Sequence, residues 1–114
     1  MQREGINENN ASPEDFLCDF CMNHWTEQSP MVEGHRGSLI CAKCLTDAYR
    51  EIVYKESGIP LAEGTTCRLC LSPTDDPTWG KAECPEARAC RKCIRQSTAV
   101  LEKDKEFGWK RPAE

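Results

Sequence analysis

The chain has 114 residues, enough for one ordinary domain or two very small ones and too few for a large multi-domain machine. Charged residues make up 30%, mean hydropathy is −0.66, and Leu, Ile, Val and Phe together number only 18, which on its own leaves too little apolar surface to offset the entropy of ordering. The formal net charge is −4, so sequence-independent nucleic-acid binding, which basic surface drives, is disfavoured.

Residues 1–13 are polar and read as a disordered N-terminal tail, without the apolar run of a signal peptide. Ser12-Pro13-Glu14-Asp15 has the form of a capping box with proline at the first helical position, which would start one helical turn before Cys18. A first unit is expected over 14–57. Its residues 22–36 hold a Pro and a Gly among polar residues and suit a loose hairpin or loop, and 37–40 read as a short strand. After Cys41, the residues Leu45, Ala48, Tyr49, Ile52 and Val53 recur at helical spacing and make one apolar stripe, which Gly58 and Pro60 end. Residues 58–64 form a linker of seven residues, reaching at most about 25 Å, so the units stay close. A second unit over 65–108 repeats the plan: an irregular loop from Ser72 to Glu86 with Trp79-Gly80 at a turn, then a helix over 91–106 with Ile94, Thr98 and Leu101 on one face. Residues 109–114 read as a C-terminal tail. No run is long and apolar enough to span a membrane.

Nine cysteines organise this plan, and eight of them form Cys-x-x-Cys pairs: Cys18/Cys21, Cys41/Cys44, Cys67/Cys70 and Cys90/Cys93. Adding 49 to the first four positions gives the second four, and the match extends to Phe20/Leu69, Met22/Leu71, Lys43/Lys92, Leu45/Ile94 and Ile52/Leu101. A fixed offset with matched spacing is the mark of a duplicated unit.

Without a secretion signal, paired Cys-x-x-Cys motifs in a reducing cytoplasm read as metal ligands. Zn²⁺ in a structural site takes four ligands in a tetrahedron, commonly thiolates. One pair would sit on a knuckle and the other at the first turn of a helix, whose dipole favours negative sulfur. Such sites bind with about 10–16 kcal/mol near neutral pH, more than so small a core supplies. Two Zn²⁺ per chain are therefore expected, each four-thiolate site adding −2 to the formal charge of −4. Disulfides, a redox Cys-x-x-Cys and an iron–sulfur cluster are the rival readings. The first lacks a secretion signal, the second lacks a thioredoxin-like βαβ context, and the third stays open because four thiolates do not exclude iron. Cross-ligation between the repeats is also geometrically open.

Cys18-Asp19-Phe20-Cys21, then Ser38-Leu39-Ile40-Cys41-Ala42-Lys43-Cys44-Leu45, then the helix through Ile52-Val53, resemble the N-terminal zinc-binding domain of the ClpX unfoldase. That resemblance covers about 40 residues of the first unit and, more loosely, the second. It implies a treble clef, with a zinc knuckle, a short β-hairpin and a helix, acting as a dimerising module that docks adaptor proteins. No Walker A motif or ATPase domain accompanies it, so no unfoldase activity is implied. Arg88-Ala89 stands where the first unit has Leu39-Ile40, and two units share one chain where the family has one per subunit. A tandem of this kind would mimic the family's dimer, with the stripe of Leu45, Tyr49 and Ile52 facing Ile94 and Leu101.

The remaining candidates carry less. Cys84 has no Cys-x-x-Cys partner and corresponds to His35 under the offset; both read as loop residues, with an auxiliary metal position as the sharper alternative. His24 reads as a surface group. Trp25, Trp79 and Trp109 suit either core packed over the knuckles or a partner patch. Arg88, Arg91, Lys92 and Arg95 cluster around the last cysteine pair, where they compensate thiolate charge or contact phosphate or an acidic partner. Catalytic constellations are absent from the sequence, and a fully thiolate-ligated zinc has no position for water.

The expected architecture is a small zinc-stabilised α+β protein of two tandem treble-clef units packed as an intramolecular pseudo-dimer, either a monomer with an internal pseudo-two-fold or a dimer. Its expected role is non-catalytic protein interaction through Leu45, Tyr49, Ile52, Trp79, Arg88, Arg91, Lys92 and Arg95. Nucleic-acid binding through the basic cluster is the alternative.

Overall fold

In both repeats the first cysteine pair folds into the same tight turn. The Cys18 N–H donates to the Asn23 carbonyl at 3.0 Å and the Met22 N–H to the Cys18 carbonyl at 2.9 Å; Cys67, Ser72 and Leu71 repeat the pattern at 3.0 and 2.8 Å. Closing these turns places Met22 at φ 64° and Leu71 at φ 59°, a left-handed conformation that costs a side-chain-bearing residue about 1–2 kcal/mol. The computed structural model that shows this describes residues 16–82 and 84–112. The expected tail over 1–13 and the capping box at Ser12–Asp15 lie outside them.

Each knuckle leads to a two-stranded antiparallel hairpin and then a helix. In the first half, β1 (Met31–Glu33) pairs with β2 (Leu39–Cys41) around a 3₁₀ turn at His35–Gly37, and α1 (Ala42–Ala48) follows at once. In the second, β3 (Thr78–Trp79) pairs with β4 (Ala89–Cys90), and α2 (Arg91–Glu102) follows. Cys41 and Cys90 are the N-caps of the two helices, both with extended backbone.

The constant offset conceals a redistribution. Cys41 pairs with Met31, but Cys90 pairs with Thr78 and not with Gly80, the position 49 residues beyond Met31. The second hairpin therefore has the longer loop and the shorter approach from its knuckle, and Trp79 is the structural counterpart of Val32. Trp79 is also a strand residue opposite Ala89 and not part of a turn, as befits an aromatic with high β propensity and a buried seat. The helix expected after Cys41 changes at Tyr49 to a π-type turn through Tyr54, where the Tyr49 and Tyr54 rings meet edge to face at 5.1 Å. α2 ends at Glu102, short of the expected 106, and the Asp104 carboxylate accepts the N–H groups of Glu106 and Phe107 in the turn that follows.

The two halves share one core. α1 packs on α2, and Leu45, Ala48, Ile52, Ile94 and Leu101 are buried together with Phe20, Ile40 and Ala89. The hairpins are exchanged: β1 lies against α2, and β3 against the π-type turn that follows α1. The segment between the halves joins in, since Ile59 and Thr78 exchange backbone hydrogen bonds at 3.1 and 2.7 Å. So does the chain beyond α2. The Trp109 indole donates to the Thr46 hydroxyl at 3.1 Å, and Arg111 reaches the Tyr49 hydroxyl at 3.0 Å while pairing with Glu102. Among the described residues no helix is long and apolar enough to cross a membrane.

Candidate metal centres

Cys18, Cys21, Cys41 and Cys44 bring their sulfurs within 4.8 Å of one another, and so do Cys67, Cys70, Cys90 and Cys93. Three of the separations show what such a group is built for: Cys18–Cys44 and Cys21–Cys41 are at 3.7 Å and Cys70–Cys90 at 3.9 Å. A tetrahedron with metal–sulfur bonds of about 2.3 Å has edges of about 3.8 Å. A disulfide needs about 2.05 Å, far below these separations, and the eight grouped cysteines are not joined as disulfides. Among the described residues each group closes within its own repeat, with no cysteine crossing between halves. Cys84 is buried in the shared core outside both groups, as are His24 and His35 at the surface.

The backbone already favours negative sulfur. Phe20 and Leu69 donate their N–H groups to Cys18 and Cys67 Sγ at 3.4 Å, and Cys90 donates to Cys67 Sγ at 3.3 Å. Cys44 and Cys93 lie in the first turns of their helices. Four thiolates still repel when they face only each other, and the thiols split accordingly. Hydrogen bonding from Cys18 and then Cys44 holds Cys41 far below the ordinary thiol range, and Cys90 and then Cys93 do the same for Cys67. Hydrogen bonding to Cys41, with burial adding to it, pushes Cys18 up to about 12, and hydrogen bonding to Cys67, again with burial, pushes Cys90 up to about 11. Cys44 and Cys93 rise further, chiefly through Cys18 and Cys67 respectively. A divalent cation at the centre removes that repulsion and lets all four sulfurs ionise.

The second half supplies a cation to the first centre. Burial alone would lower the Lys81 pKa, but Cys44 and then the Asp47 carboxylate, 3.3 Å away, raise it above the ordinary lysine range. Trp79 lies beside it. Its ring packs on Phe20 at 5.6 Å between centroids, its Nε1 donates to the Glu51 carboxylate, and it is 3% exposed. The other half reciprocates through backbone, the His35 N–H donating to the Leu69 carbonyl at 2.8 Å.

Asp19 and Arg68, which occupy equivalent repeat positions, form a half-buried ion pair at 3.4 Å, and Asp19 also accepts the Leu39 N–H at 3.1 Å. Their backbones match too, Asp19 N–H bonding to Leu39 O and Arg68 N–H to Arg88 O. Sequence reasoning passed over Asp19, Arg68, Lys81 and Glu51. The first two carried a signal, opposite charges one repeat apart; the others carried none.

The candidate partner-binding residues divide. Leu45, Tyr49, Ile52 and Trp79 are buried within the chain, so as it stands they offer no surface to a partner. Arg88 is spent inside its own hairpin, its Nε donating to the Thr78 hydroxyl at 3.1 Å and its Nη2 to the Thr78 carbonyl. Arg91 pairs with Glu56 of the first half at 3.1 Å. Lys92 and Arg95 are exposed. Trp25 and Trp109 are half-buried. No family model, no curated protein and no solved structure matches the chain.

Proposed function

We propose that this chain is a structural zinc protein, two treble-clef units joined as an intramolecular pseudo-dimer, whose non-catalytic role is to dock a protein partner. The observation that carries the metal reading is the sulfur spacing: two separate groups of four cysteines, each with its sulfurs within 4.8 Å of one another, and with edges of 3.7 Å at Cys18–Cys44 and Cys21–Cys41 and 3.9 Å at Cys70–Cys90, close to those of a zinc–thiolate tetrahedron. Four thiolates complete that shell and leave no position for a reacting water, which supports a structural rather than catalytic ion.

Two features support the pseudo-dimer. Asp19 and Arg68 are equivalent residues in mutual contact, as occurs beside a two-fold axis. The exchanged hairpins place β1 on α2 and β3 on the first helical segment. The docking role rests on the resemblance of the first unit's cysteine motifs and helix to the ClpX zinc-binding domain. Nucleic-acid binding remains the second reading, supported by exposed Lys92 and Arg95, although Arg88 and Arg91 are engaged within the fold.

A titration against duplex and single-stranded DNA and RNA across salt concentration separates these roles. No binding at low salt is the expected result, and a steep linear fall of log affinity with log salt would favour nucleic acid instead. The pseudo-dimer predicts a monomer in sedimentation equilibrium when both sites are loaded. An obligate dimer with its halves exchanged between chains would refute it.

A further inference from the structure

The two metal centres are not equally covered, and the difference points to a ligand. At the first centre, the second half's hairpin fills a seat built from Phe20, Cys44, Asp47 and Glu51. Trp79 stacks on Phe20 and donates to Glu51, while Lys81 pairs with Asp47 and faces Cys44. Under the repeat offset these four positions become Leu69, Cys93, Gln96 and Val100. There the structure has a groove of about 280 Å³, lined by all four and flanked by Val32 and Gly34 of the first hairpin. Val32, the counterpart of Trp79, is too small to fill it. Gly34, the counterpart of Lys81, cannot carry any side chain, because a Cβ there would lie 2.6 Å from Ser38 Oγ and 2.7 Å from the Leu69 carbonyl. Val32 and Gly34 therefore give the second centre no counterpart of the Trp79 ring or the Lys81 ammonium, and His35 is the first-half ring that lines the groove. Val100 remains 55% exposed beside it.

We propose that this groove is a docking seat for an extended segment of a partner protein that presents an aromatic side chain and, two residues later, a basic one. The chain itself shows how such a seat is occupied, since Trp79 and Lys81 have that spacing at the first centre. Charge argues for the basic residue: a divalent ion in four thiolates leaves a net −2 beside the groove, and Glu33 lines it as well. Leu69 and Val100 supply the apolar floor for the ring, and Gln96 an acceptor for the ammonium. The inference rests on the metal reading for its electrostatic part and on groove shape for the rest.

The test is an amide NMR titration of the full chain, its bound metal counted beforehand by native mass spectrometry, with the peptide acetyl-Trp-Gly-Lys-amide. Saturable shifts at Leu69, Gln96, Ser97 and Val100 are expected, at millimolar affinity for so short a probe. Acetyl-Trp-Gly-Glu-amide should bind about three- to tenfold more weakly. The double variant Gln96→Asp/Val100→Glu gives this seat the two acids of the first and should bind the lysine peptide about three- to tenfold more tightly. Both substituted residues are exposed, so the fold is left in place. Absence of saturable shifts at those amides up to about 10 mM, or an affinity unmoved by both the charge reversal and the acid swap, overturns the seat. A metal count below two overturns the metal reading, and the two results are read independently.

Discussion

Replacing Trp79 with alanine should damage the first metal centre although Trp79 belongs to the second half of the chain. The side chain is 3% exposed, stacks on Phe20 at 5.6 Å and bonds to Glu51; its neighbour Lys81 lies 6.0 Å from the ring centre. Truncating a buried aromatic of this size costs about 3–5 kcal/mol. About 1–3 kcal/mol of such a loss belongs to the hydrogen bond with the carboxylate, and about 0.5–1.5 kcal/mol to the ring pair. Against a net stability of about 5–15 kcal/mol for a small domain, this is a large fraction. Trp79→Phe keeps a ring against Phe20 and loses only the indole donor and some area, so about 1–2 kcal/mol is expected. Urea denaturation of the metal-loaded chain measures both, and chelator competition read at Cys44 and Cys93 amides shows which centre releases its ion first. Trp79→Ala should release the ion of the Cys18/Cys21/Cys41/Cys44 group earlier than that of the other. A cost below about 1 kcal/mol, or equal effects on both centres, would refute the exchanged-hairpin support argued above.

Serine at Cys44 or at Cys93 should abolish binding of one ion and leave that half without protection from hydrogen exchange, as removal of a structural zinc ligand does. Loading should also release protons: Cys18, Cys44, Cys90 and Cys93 sit above the ordinary thiol range, so near pH 7 at least two protons per ion should appear in a weakly buffered dye assay. Asp19→Ala removes an acceptor from both Leu39 and Arg68 and should cost about 2–4 kcal/mol, whereas Arg68→Ala, with a third of its side chain in water, should cost at most about 1 kcal/mol by denaturation. Hydrogen bonds from Arg111 hold the Glu102 carboxyl below its usual range, so the stability it lends the C-terminal segment is complete above the unfolded carboxyl pKa and is lost as pH falls through the depressed value. The Trp109 indole proton, bonded to Thr46, should lose its distinct NMR shift over that acid range and, in Arg111→Ala, at higher pH.

The two cysteine groups were legible because the spacing that a tetrahedral ion would demand survives in one dimension. Eight cysteines at two fixed intervals, repeated at an offset of 49, gave the two groups that the structure brings together. The first helix was legible from Leu45, Ala48 and Ile52, whose burial follows the stripe. What could not be read was everything set by contact between the halves. Trp79 lies among prolines and acids that mark a loop, and only its burial against Phe20 makes a strand of Thr78-Trp79. The basic cluster read as one patch because its members are close in sequence, yet Arg88 turns inward to Thr78 and Arg91 across to Glu56. The stripe residues suggested for a partner are covered by the chain's own second half, including Arg111 over the Tyr49 ring at 5.3 Å. Composition alone could not foresee that covering, since it depends on how the two halves pack.

Two metal–thiolate centres are proposed to hold this chain together. Native mass spectrometry of the purified protein before and after chelation, with an alkylating reagent present, tests it directly. Two bound zinc ions per chain are expected, with eight cysteines shielded until the ions are withdrawn, after which they are modified and the chain unfolds. A folded chain carrying fewer than two ions, with the paired cysteines modified at once, would contradict it.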